Sequence, residues 1–209
     1  MTPRQRVFLL ESATGRAVDA TVVSPLTEKH LEDWRDLWRT HQTEALRRLS
    51  RSGILPISRP QHGHWSWEQK EAAIRGVLAY QGYAVEARGV TQGMMIVNLT
   101  GECRLPEQEG KPLIYVLFVE AAPWNRPQFG QLPIFQGVGS ILLGTAINLS
   151  HDEGFAGRLG LHSLPQADSF YRDKLRMTEL GLDMDKQNLR YFEMTPAQAN
   201  DFAARTRRV

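Results

Sequence analysis

The chain has 209 residues, 42% hydrophobic and 23% charged, with a net charge of +2. That composition describes one ordinary soluble globular domain with a sizeable core, and so small a net charge gives no reason to expect nucleic acid or a membrane surface as partner. The lone Cys103 excludes an intrachain disulfide, no apolar run approaches the length of a membrane span, and the apolar part of "MTPRQRVFLLES" is too short for a signal peptide, so a reducing, cytoplasmic location is expected.

In chain order, "DATVVSPLTE" predicts a strand through Val22 and Val23, with a turn at Pro25. Thr27 is placed to cap a helix running from about Glu28 to Arg51, which Gly53 ends. Its apolar residues Leu31, Trp34, Leu37, Trp38, Ala45, Leu46 and Leu49 recur at helical spacing. Its arginines, Arg35, Arg39, Arg47, Arg48 and Arg51, read as a solvated face, with a phosphate-binding patch as the alternative. A loop rich in Pro, Gly and His follows. There His62 and His64 form an H-x-H with no third ligand nearby, so no metal is expected. Ser66 caps a second helix, "WEQKEAAIRGVLAYQG", closed by Gly82.

"YAVEARGVTQGMMIVNLTGECRL" predicts an antiparallel pair joined by a segment containing Gly89 and Gly93. "LIYVLFVEAA" is a continuous apolar run, which predicts a central strand covered on both faces. The Pro-rich "PWNRPQFGQLP" is a long loop of the kind that often carries function. Beyond it lie a glycine turn and a helix to about Gly154, with Val138, Ile141, Leu142, Ala146 and Leu149 on its apolar face. The remainder predicts a strand at "GRLGLHSL", a helix at "QADSFYRDKLRMTELG", a strand at "LRYFEMT" and a C-terminal helix or tail. The order is α/β in character with a mixed sheet.

Gly137 and Gly139 open a helix, and the first amides of a helix form a ready anion site. A P-loop is excluded because no Gly-Lys-Ser/Thr exists. A Rossmann fingerprint lacks its third glycine, since Leu142 stands there. A nucleotide or NAD site is therefore disfavoured.

Taken together, "LIYVLFVEAAPWN", the turn Ile134-Phe135-Gln136-Gly137-Val138-Gly139, "GRLGLHSLPQ" and the "SFY" helix resemble the GNAT superfamily of acyl-CoA-dependent N-acyltransferases. Ile134 stands where the family pattern begins with Arg or Gln, and Ser163 and Gln166 stand where it carries an Asn. The resemblance implies a mixed, mostly antiparallel central sheet flanked by helices, with two parallel strands splayed at the CoA site. It implies a single domain over residues 1–209, the acceptor side within about 1–110 and the CoA-binding core within about 113–181. It further implies an acetyl-CoA-dependent N-acetyltransferase acting on a primary amine.

By the same resemblance, Phe118, Val119 and Ala121 face pantetheine or the thioester, and Gln136, Gly137, Val138, Gly139 and Ser140 hold the pyrophosphate. Glu120 is the candidate base and Tyr171 the candidate acid. Trp65, Trp124, Asn125 and His162 are candidates for the acceptor site. Each has a plainer alternative: Glu120 paired with an arginine, Tyr171 and Trp65 as packing residues, His162 as a hydrogen-bonded structural histidine. A GNAT fold that binds acyl-CoA without turnover is the rival reading of the whole chain. A homodimer is compatible with the sequence.

Overall fold

The computed structural model describes residues 4–51, 63–127 and 131–206. Among the described residues nine strands are linked by hydrogen bonds in the order β6–β1–β2–β3–β4–β5–β7–β9–β8. They are β1 (Arg4–Glu11), β2 (Ala17–Val23), β3 (Tyr80–Ala87), β4 (Val90–Glu102), β5 (Pro112–Ala121), β6 (Phe135–Gln136), β7 (Leu159–Ser163), β8 (Thr178–Asp183) and β9 (Leu189–Met194). The sheet is mostly antiparallel, and its one parallel pair is β5–β7. The expected mixed α/β architecture is present.

The chain divides into two compact units. The first comprises residues 1–77, 82–95 and 119–142. Here a long helical run begins as α1 (Glu28–Glu32), passes through a π-helical turn (Asp33–Trp38) and continues as α2 (Arg39–Arg51). Thr27 caps it, its amide donating to Nδ1 of His30 (2.9 Å). The run is gripped at Thr91. Asp33 Oδ2 accepts from the Thr91 amide (2.8 Å) and hydroxyl (2.6 Å), and the Trp38 indole donates to the Thr91 carbonyl (3.0 Å). Both Trp34 and Trp38 are thereby buried, while the five arginines lie on the exposed side.

The next helix, α3 (Trp67–Ile74), starts as expected, with Ser66 Oγ accepting from the Gln69 amide (3.3 Å). It ends eight residues earlier than the sequence suggested. Gly76, in the left-handed region (φ 77°), turns the chain out, and Gly82 lies within β3. Only Arg88 and Gly89, both left-handed, make the β3–β4 turn. Gly93 is not part of it but lies inside β4, where a Cβ would come within 2.4 Å of Val138 Cγ1 and 3.3 Å of the Glu120 carbonyl. Overpacking of this kind costs about 1–3 kcal/mol. Gly93→Ala is expected to lower the urea midpoint accordingly, with the denaturant slope unchanged.

The second unit comprises residues 78–81, 96–118 and 143–209. Leu113, Ile114, Leu143, Leu159, Leu161, Phe192 and Met194 form its core. Helix α4 (Val138–Asp152) contributes its later residues here, and α5 (Pro196–Thr206) covers the chain's last described stretch. The segment expected to be one helix over 166–181 is two short helical turns, Pro165–Ala167 and the π-helical Phe170–Lys174. Left-handed Arg176 (φ 56°) then turns the chain into β8, a strand absent from the sequence reading. The buried Glu193 is saturated by the Arg104 and Leu105 amides and the Gln108 side chain (2.7–3.1 Å). It is an interior carboxylate whose partners are all in place.

Candidate functional site

The glycine turn belongs to the first unit. β6 pairs with the end of β1, Leu10 opposite Gln136 and Glu11 opposite Phe135, so the turn that follows is pinned to the sheet. Gly137 has φ 96°, a conformation that a side chain strains, and its missing Cβ would face Leu9 at 3.9 Å. The first helical bond runs from the Ile141 amide to the Gly137 carbonyl (2.9 Å). The amides of Val138, Gly139 and Ser140 therefore precede the first intrahelical donor, at the positive end of a 15-residue helix. Ile134, in place of a polar residue, is half exposed. Its backbone is engaged with Trp124 and Ser12 (3.0 Å each).

β5 supplies the second element. Its parallel register with β7 runs from Ile114–Leu159 to Val116–Leu161, and β5 continues five residues further, to Ala121. Phe118, Val119 and Ala121 lie on that extension, partly exposed, with Glu120 buried between the last two.

Glu120 sits in the first unit between two buried donors. Its Oε2 accepts from the Trp67 indole at 2.6 Å, and Nη2 of Arg126 is 3.3 Å from Oε1. Burial pushes the carboxyl up, against the opposing pull of Arg126, Trp67 and Lys70. Burial likewise lowers the Arg126 guanidinium. Lys70 lies over the Trp65 ring at 4.5 Å, and desolvation brings its amine down to about 8. On the adjoining loop, Trp124 and Asn125 both donate to Oε1 of Gln92 (2.8 and 2.9 Å), and Asn125 Oδ1 accepts from the Phe135 amide (2.9 Å). These two side chains brace the loop that joins β5 to β6 against Gln92 of β4.

Tyr171 and His162 belong to the second unit. Tyr171 is buried, its ring against Phe170 (5.4 Å) and Phe192 (5.7 Å), and burial pushes its phenol up. His162 bridges Tyr115, whose hydroxyl is 2.6 Å from Nδ1, and Asp183, 2.9 Å from Nε2. Arg104 also donates to Asp183 (2.6 Å) and lies over the Tyr191 ring.

Comparison with protein-family models and with curated proteins finds no match. Solved structures do match. The GNAT domain of S. lividans PAT aligns with 91% of this chain and 96% of its own, at TM-score 0.55 and 14% identity. A bacterial toxin aligns with 69% of this chain and 82% of its own, at TM-score 0.52 and 13% identity. The chain has the GNAT fold.

The glycine turn and the end of β5 beyond its pairing with β7 are both present as backbone features. Sequence reasoning anticipated an arginine partner for Glu120 without naming it, and missed the other partners. In the sequence Arg126 reads with Trp124 and Asn125 as a candidate acceptor-side lip, and Trp67 with Trp65 as a candidate aromatic wall, neither as the named partner of Glu120. A lone carboxylate in an apolar strand implies a donor nearby, and Arg126 stands six residues downstream. Tyr115, Asp183 and Lys70 gave no signal, because their partners come from distant segments. His62 lies outside the described residues. Among the described residues no three His, Cys, Asp or Glu side chains gather as a metal cage, and no helix is long and apolar enough to cross a membrane.

The Asp183 cluster has a measurable consequence. Hydrogen bonds from Arg104 and His162 hold its carboxyl down, to about 2. A depressed folded pKa gives stability that is full above the unfolded value of 3.8 and lost as pH falls through 2. Asp183→Asn is therefore expected to flatten the fall of Tm between about pH 4 and 2, with Tm measured at each pH in both proteins. An unchanged slope would show that the carboxylate is not engaged.

Proposed function

We propose that this GNAT-fold protein transfers an acetyl group from acetyl-CoA to a primary amine, directly and without an acyl-enzyme. The observation that carries the reading is the turn Gln136–Ser140. Its amides open α4 where a bulky side chain at Gly137 is disfavoured, and a pyrophosphate is the anion that such a turn on this fold suits.

The chemistry follows from the residues. The pantetheine arm pairs with the β5 extension beyond Val116, using the backbone around Phe118, Val119 and Ala121. An amide there faces the thioester carbonyl and stabilises the oxyanion that forms when the amine attacks. The acceptor must first lose a proton, since an alkyl ammonium has a pKa near ~10.4 and is not nucleophilic. Glu120 takes that proton through water, and its raised carboxyl is a stronger base than an exposed one. The tetrahedral intermediate gives up its second N–H proton to solvent water and expels the CoA thiolate; Tyr171 protonates the sulfur and regains its own proton from solvent. Burial keeps the phenol protonated until that step and also weakens it as an acid, so the transfer requires the thiolate to be desolvated to a similar degree. Trp65, Trp124, Asn125 and His162 are the proposed acceptor-side residues.

One observation favours the second reading, an acyl-CoA-binding module without turnover. The carboxylate of Glu120 is already engaged by Trp67 and Arg126, which is a structural arrangement in its own right. Titration calorimetry with acetyl-CoA, NAD and ATP, followed by an amine screen reading free thiol, separates the outcomes. Binding of acetyl-CoA with thiol release supports the enzyme, and binding without release under any amine supports the module. A folded protein that binds none of the three ligands overturns both.

A further inference from the structure

Lysine is scarce in this chain. It occurs at Lys29, Lys70, Lys111, Lys174 and Lys186, and every other member of the Lys and Arg total of 25 is arginine. Lys111, Lys174 and Lys186 are exposed, and Lys29 is held by Asp33 (2.6 Å) and Glu86 (3.4 Å). Lys70 differs from all four. It is half-buried on α3, and the acyl transfer described above gives it no part.

Helical spacing sets Lys70 beside the proposed base. Trp67 and Lys70 are three residues apart on α3 and so share one face of that helix. The Trp67 indole is fully buried and donates to Oε2 of Glu120 at 2.6 Å. Lys70 rises one turn further along, its Nζ 4.5 Å from the centre of the Trp65 ring. Glu120 and Lys70 are close enough that each charge acts on the other. All four residues belong to the first unit. A long, flexible amine therefore stands near the end of β5, where the thioester is proposed to lie. The amine is also poised to attack. Desolvation, opposed by Glu120, brings it to about 8. At pH 7 roughly a tenth of it is then neutral, against about one part in 2,500 for an ordinary lysine. A desolvated lysine is nucleophilic for this reason. An acetylated side chain suits the position as well, since an amide carries no charge to desolvate.

We propose that Lys70 is a self-modification site, its Nζ taking the acetyl group from acetyl-CoA bound to the same chain. The inference rests on the acetyl-CoA site proposed above. The Nζ lone pair bonds to the thioester carbon, and the carbonyl pair moves to oxygen. When the oxyanion collapses the C–S bond breaks. The nitrogen gives up one proton to water and the sulfur gains one, so neutral lysine and acetyl-CoA become acetyl-lysine and CoA thiol.

The whole chain is incubated with acetyl-CoA and no added amine, then digested, and acetylation of each lysine is followed by mass spectrometry. Lys70 is expected to react at least about tenfold faster than Lys111, Lys174 and Lys186, because a bound donor supplies proximity that exposed amines lack. Its rate is expected to level off as acetyl-CoA saturates the site, and to be independent of protein concentration. The exposed lysines meet the donor from solution, so their rates rise in proportion to it. At limiting acetyl-CoA, Ser140→Glu is expected to slow Lys70 by about tenfold, as affinity falls, and to leave the exposed lysines unchanged. Lys70 reacting no faster than the exposed lysines, without saturation, in step with protein concentration, or indifferently to Ser140→Glu overturns the proposal. Calorimetric titration with acetyl-CoA runs beside the incubation. An unmodified Lys70 in a protein that binds acetyl-CoA overturns self-modification alone and leaves transfer to a free amine standing. A protein that binds no acetyl-CoA overturns both.

Discussion

Ser140→Glu is expected to leave the protein folded and to cost it most of its affinity for acetyl-CoA. Ser140 lies in the first turn of α4 and is partly exposed, which gives the longer side chain a route to solvent. A carboxylate in the first turn of a helix is itself stabilising, by about 0.3–1 kcal/mol. The same carboxylate stands where the pyrophosphate is proposed to lie. Two like charges ~4 Å apart repel by about 4 kcal/mol at an effective dielectric near ~20. Screening by salt lowers that figure, and a loss of at least about tenfold in affinity remains. Gly137→Ala is the complementary change. It adds no charge but forces a left-handed backbone on a residue with a Cβ, at about 1–2 kcal/mol in stability. Calorimetric titration of both variants, beside thermal melts, reads the two effects apart. If Ser140→Glu binds acetyl-CoA as the parent does, the glycine turn does not hold the pyrophosphate.

The turn was legible in the sequence because its signal is local. Gly137 is needed for a backbone angle, and the apolar periodicity after it announces the helix. The central strand was legible for the same reason, as an unbroken apolar run from Leu113. β1 was not, because its outward face carries Phe8 and Leu10 and so lacks the alternation that marks a half-buried strand. β8 was missed because it follows a helical pattern without a Gly or Pro. The stop is the left-handed Arg176, a residue type that gives no warning. Gly93 was read as a turn residue when its role is a close approach to α4, which is a tertiary fact. The candidate site was half legible on the same terms. Glu120 and Tyr171 stood out as residue types in a pattern, whereas the environments that shift their proton affinities are built by Trp67, Arg126 and Phe192 from other segments.

Glu120 and Arg126 give the largest expected change in stability, and they also separate support from catalysis. Removing one partner of a buried ion pair strands the other charge, at about 3–5 kcal/mol. Arg126→Met is expected to fall in that range by urea unfolding. Replacing both, as Glu120→Gln with Arg126→Met, removes both charges and their desolvation costs while the Gln oxygen still accepts from the Trp67 indole, and is expected to recover most of the loss. Glu120→Gln is the informative single change. Its amide oxygen still accepts from the Trp67 indole, so packing is retained, but it can no longer take a proton. General-base catalysis contributes about 10²–10⁴-fold, and turnover with the best acceptor amine is expected to fall by that factor while acetyl-CoA still binds. Arg126 also lowers the proton affinity of Glu120, so Arg126→Met should shift the acid limb of the rate profile to higher pH. Turnover unchanged in Glu120→Gln would assign the pair to the fold alone. A stable double variant that has lost turnover would assign the ion pair to the chemistry, because folding would then not have required it.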